Sequence, residues 1–68
     1  MDKAQTARAI RKAMAHKDLR SYDLAKLVGV SETAVCNWRK IGQSDIHKLD
    51  LIASHCDLTL EEMLEMGK

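Results

Sequence analysis

From Ser31 to Lys40 the chain reads SETAVCNWRK, a short run dense in side chains that could do chemistry. If Val35 and Trp38 point into a core, about 100° of rotation per residue leaves Thr33, Cys36, Asn37 and Lys40 on one outward stripe. Glu32 and Arg39 border that stripe. An amide, a hydroxyl, a thiol and an ammonium in a row suit the reading of a polar, anionic surface. They do not suit bond-making: no nucleophile motif is present, and the chain is too short for a pocket-sized core. No enzyme is therefore expected. The plainer reading is the solvated face of an αα-hairpin.

Three histidines and two cysteines raise the question of a metal. His47 and His55 are eight residues apart, about two helical turns, too far for one ligand pair without a further partner. No metal or other cofactor is expected. Cys36 and Cys56 have neither CxxC spacing nor a secretory context and are read as free thiols.

Sixty-eight residues make one domain, near the lower limit for folding without disulfides or metals. A core of this size rarely supplies more than about 3–5 kcal/mol of net stability. There is no proline or phenylalanine, and good helix formers dominate; runs with two-residue alternation are absent. The fold class expected is all-α. The opening MDKAQTARAIRKAM is too charged for a signal peptide or a membrane span. The net charge of +1 conceals a gradient. Residues 1–40 carry nine Lys/Arg against four Asp/Glu, whereas residues 41–68 carry two against six. A basic front and an acidic back offer one face to a polyanion and another to something else; uneven solvated charge is the alternative.

Five short helices position these groups. The first runs from about Lys3 to Lys17 with Asp2 as N-cap, and Ala7, Ile10 and Met14 form its apolar stripe while Arg8, Arg11 and Lys12 project elsewhere. Ser21 caps a second helix that reaches Val28 and ends at Gly29. Ser31 caps a third, to about Lys40. A fourth starts near Ser44 or Asp45 and runs to about His55, with Ile46, Leu49, Ile52, Ala53 and Cys56 on one side. The fifth, from Thr59 to about Met66, opens with the capping box Thr59-Leu-Glu-Glu62. Leu24, Ala25 and Val28, then Val30, Val35 and Trp38, face inward around a sharp turn at Gly29. This is a helix-turn-helix at residues 21–40, which holds a short helix proud of the body so that it fits the DNA major groove.

The chain resembles the lambda-repressor/Cro family of helix-turn-helix regulators, including phage Cro-type repressors. The resemblance runs through LRSYDLAKLVGVSETAVCNW to LIASHCDLTLEEML. It implies a five-helix domain that binds operator DNA, usually as a dimer. Carried over position by position, the family's base-reading sites fall on Glu32, Thr33, Cys36 and Asn37. Asn37 can bond bidentately to an adenine edge and Thr33 can meet a thymine methyl. Glu32 either accepts from cytosine or supports the helix N-terminus electrostatically. Cys36 either makes an apolar contact or fills space. Phosphate contacts are expected from Ser21 at the second helix's N-terminus and from Arg39, Lys40, Gln43 and Ser44, while Tyr22 adds a hydroxyl contact or packs.

Two departures stand out. The family often has an ion pair beneath the third helix, and here those positions hold Met14 and Arg39, which leaves Arg39 free for a phosphate. A glycine common after the third helix comes one residue late, as Gly42, so the following loop differs in path.

These features point to a Cro-type repressor on a palindromic operator, cytoplasmic in a bacterial cell and associated with its nucleoid. With no second domain for cleavage or ligand sensing, its occupancy should follow its own concentration. Leu51 and Leu58 fall off the main apolar faces and mark the expected homodimer surface. The alternative is an antitoxin or co-regulator working through protein–protein contacts, for which the acidic C-terminal half and an exposed Met63 and Met66 would serve.

Overall fold

The computed structural model describes residues 2–68, which form α1 (Lys3–Lys17), α2 (Ser21–Val28), α3 (Glu32–Ile41), α4 (Ile46–His55) and α5 (Leu60–Met66). Local hydrogen bonds set most of the starts. Asp2 Oδ1 accepts from the Gln5 amide at 2.7 Å, Ser31 Oγ from Ala34 at 3.1 Å and Asp45 Oδ1 from His47 at 2.9 Å. Thr59 and Glu62 cap α5 reciprocally, at 3.1 and 2.9 Å. Each bond satisfies an amide that the helix itself leaves unpaired.

α2 departs from the expected start. Its N-cap is Arg20, in extended conformation, and Ser21 is already helical. The Asp23 carboxylate accepts from the Arg20 amide at 3.0 Å, so the cap bond comes from within the helix. Ser21 is not the cap because its hydroxyl is engaged elsewhere.

Three of the helices end alike. Asp18 (φ 58), Gly29 (φ 85) and Asp57 (φ 60) are left-handed, and the next amide reaches back to the carbonyl of Met14, Ala25 or Ala53 at 2.8, 3.0 and 2.9 Å. These bonds close the orphan carbonyls and turn the chain sharply.

α1 lies against α3 and α5, α2 against α3 and α4, and α4 against α5. Ala9 and Ala13, both fully buried, permit the close approach of other elements to α1. Ile10, Leu24, Val35, Leu49, Ile52, Cys56 and Met63 are fully buried. Each large aliphatic side chain among them contributes about 1.5–3 kcal/mol relative to exposure. Two expectations are corrected here. Ile46 is exposed, one turn from the stripe of Leu49, Ile52 and Ala53, and Met63 is sealed in the core, where no partner can reach it.

The loop between α3 and α4 is fixed from α1. Gly42 (φ 93) is buried, and a Cβ there would stand 2.1 Å from the Lys3 carbonyl oxygen and 2.4 Å from Thr6 Oγ1. The Gln43 amide then donates to Thr6 Oγ1 at 3.1 Å. The late glycine thus lets the end of α3 close onto the N-terminal turn of α1.

Candidate nucleic-acid interface

Only Gly29, Val30 and Ser31 separate α2 from α3. The left-handed Gly29 makes that turn possible, and Val28 and Val30 pack partly buried against the core beside it. With Val35 and Trp38 buried, Glu32, Thr33, Asn37 and Lys40 are exposed along the far side of α3. Cys36 lies on the same stripe but is half-buried. The Lys48 ammonium stands 5.9 Å from the centroid of the Trp38 ring.

The positions expected to touch phosphate divide into three kinds. Lys40, Ser44 and Tyr22 are exposed, Tyr22 at 54 %, with the Lys26 ammonium 5.4 Å from its ring centroid. Gln43 has turned inward on its own loop, where Oε1 accepts from the Asp45 amide at 3.0 Å. Ser21 and Arg39 meet each other: Arg39 Nη1 donates to Ser21 Oγ at 2.7 Å, and Ser21 is only 8 % exposed. Arg39 is therefore not free. It is half-buried, and its Nε–H lies inside the fold without a hydrogen-bond partner among the described residues.

One basic residue that sequence reasoning set aside enters this region. Arg11 of α1 donates from Nη1 to the carbonyl of Arg39, at the end of α3. Arg11, Cys36, Arg39 and Lys40 line a depression of about 320 Å³. A helical wheel held the signal, since Arg11 falls about 40° from Ala7 and so borders the buried stripe of α1.

Flanking charges have their own causes. Hydrogen bonds from the Arg20 amide and side chain hold the Asp23 carboxyl below the usual carboxylate range. The hydrogen bond and charge of Lys17 do the same for Asp57, and Lys17 is raised in turn. Burial pushes the Cys56 thiol up.

The two expected dimer residues differ. Leu51 is 41 % exposed on α4, while Leu58 is half-buried and packs against the core. Ile41 and Ile46, either side of the α3–α4 loop, are more exposed than Leu51. Among the described residues no helix is long and apolar enough to cross a membrane, and no group of three or more His, Cys, Asp or Glu could hold a metal ion.

Compared with known proteins, the chain matches the family described as Cro/C1-type HTH DNA-binding domain over residues 9–68. No curated protein and no solved structure matches it. The turn at Gly29, the polar outer stripe of α3 and a family match that takes in all but the first eight residues agree: this chain belongs to the Cro/C1-type HTH DNA-binding domains.

Proposed function

We propose that this protein is a sequence-specific transcriptional repressor of the Cro type, that residues 1–68 act as a single domain, and that α3 enters the major groove of a palindromic operator. The observation that carries the reading is the division of α3: Val35 and Trp38 are buried, while Glu32, Thr33, Asn37 and Lys40 are open to solvent. A helix about 10–12 Å across fits a groove about 12 Å wide, so such a stripe would lie along the base edges. Asn37 supplies the planar amide that matches adenine, Thr33 a methyl for thymine, and Glu32 and Cys36 the remaining contacts. Lys40, Ser44 and Tyr22 would meet the backbone on either side, in the bacterial cytoplasm where the operator lies.

Repression at a palindrome calls for two copies. Among the exposed apolar groups, Ile41 at the end of α3 and Ile46 and Leu51 on α4 favour a homodimer, with the partly buried Leu58 following between α4 and α5. The two α3 helices would then sit about 34 Å apart along the duplex. Selection of bound sequences from a random duplex pool, followed by sedimentation of the complex, tests this. The expected result is an inverted repeat holding two chains. Selection that enriches no sequence would leave the antitoxin or co-regulator reading, which those same apolar groups would serve.

A further inference from the structure

Three cations converge where α1 meets the end of α3, and nothing in the described fold neutralises them. Arg11, Arg39 and Lys40 line the same depression, beside Cys36. The ion pairs among the described residues are Lys17–Asp57, Arg20–Asp23 and Lys68–Glu65, and none includes these three. The end of α3 itself offers about −0.5 of an elementary charge from its helix dipole, against three positive side chains. Most of the positive charge is left over. Arg39 is under-satisfied as well, with one Nη1 bond to Ser21 and an Nε–H that has none. That Nε–H lies inside the fold, so a ligand in the depression would meet the charge of the guanidinium and not this donor.

The depression opens beside Cys36 and Lys40, on the flank of the stripe that carries Thr33 and Asn37. A helix that fills the major groove has its flanks against the sugar–phosphate rims. We propose that Arg11, Arg39 and Lys40 line a seat for the sugar–phosphate backbone of duplex DNA, with Arg11 and Lys40 each answering a phosphate of its own, so that α1 is part of the DNA-contacting surface. This rests on the DNA-binding reading of α3. Arg11 is held for the task by its bond to the Arg39 carbonyl, and Ser21 holds Arg39 from the other side. The planar guanidinium forks suit the tetrahedral phosphate better than point charges would.

The test uses the full chain and random-sequence duplex DNA, with affinity measured across a series of salt concentrations. Arg11→Gln should lower the slope of log affinity against log salt by about one. That slope corresponds to about fivefold weaker binding near 0.15 M salt, alike on a selected operator and on random duplex. Arg11→Lys, which keeps the charge, should retain the wild-type slope. Thermal melting followed by circular dichroism should show both variants folded.

An unchanged slope in Arg11→Gln, with wild type binding normally, overturns the seat and leaves the DNA-binding reading intact. The same loss of slope in Arg11→Lys also overturns it, since a charge-preserving change should not release a phosphate. Wild-type chain that binds no duplex even at low salt overturns both. Inorganic pyrophosphate at constant ionic strength separates the sources of phosphate: it should not displace duplex, and displacement would assign the seat to a free phosphate ligand instead.

Discussion

Arg39 Nη1 donates to Ser21 Oγ at 2.7 Å, and this bond ties the last turn of α3 to the first turn of α2. Two residues eighteen apart, each expected to hold a phosphate alone, instead hold each other. Ser21→Ala would strip Arg39 of this partner while its Nε–H already lacks one. The expected loss is about 1.5–3 kcal/mol, the range for a hydrogen bond to a charged group. Urea denaturation of Ser21→Ala against wild type measures it. Thr at this position should recover most of the loss, because its hydroxyl can accept in the same place.

Asn37→Ala and Lys40→Ala should fail differently. Both residues are exposed on α3, and neither change disturbs Val35 or Trp38 behind them. Loss of the Asn37 amide should cost about 1–3 kcal/mol on a selected operator and much less on random duplex. Loss of the Lys40 ammonium should weaken both equally and reduce the salt slope by about one. The readout is the ratio of specific to nonspecific affinity at one salt concentration. A ratio that collapses in Lys40→Ala and survives in Asn37→Ala would reverse the two roles.

The two glycines of positive φ should respond unequally to a methyl group. At Gly29 a Cβ would meet nothing within 4 Å, so Gly29→Ala carries only the conformational cost, about 1 kcal/mol. At Gly42 the same Cβ would stand 2.1 Å from a backbone oxygen of α1, and the backbone there (φ 93, ψ −179) lies in a region that is essentially glycine-only. That contact cannot be relieved by a side-chain rotation, and a domain with about 3–5 kcal/mol to lose should not survive it. Circular dichroism should find Gly29→Ala folded and Gly42→Ala largely unfolded at 25 °C.

Stability should fall in acid through two surface carboxylates. Asp23 and Asp57 both have their pKa lowered in the fold, by bonds from Arg20 and Lys17 respectively. Their contribution is present above the unfolded-state carboxylate value, about pH 3.9, and disappears as pH falls through the lower folded values. The melting temperature of an Asp23→Asn, Asp57→Asn double variant should lie below wild type at neutral pH and converge on it in acid. A gap of constant size from pH 7 to pH 2 would rule out this cause. Asparagine tolerates the left-handed backbone at position 57, so the comparison reports charge rather than strain.

The helices and their order were legible from residues near one another in the chain. Asp2, Ser31, Asp45 and Thr59 each cap a helix through an amide two or three residues on, and Gly29 ends α2 by its own conformation. Such contacts span one turn, so residue type and spacing are enough to state them. The polar outer stripe of α3 was legible for a related reason, because burying Val35 and Trp38 leaves a helix only one far side. What the sequence could not assign was every contact between residues far apart in the chain. Ser21 has the residue type of a cap but serves Arg39, and Arg11 was set aside as outward charge although it reaches the end of α3. Gly42 marked an altered loop, yet its need for a bare backbone comes from Lys3 and Thr6, more than thirty residues earlier. A hydroxyl or a guanidinium has several partners it could satisfy equally well, and only the packing of α1 and α2 against α3 decides which of them lies within reach.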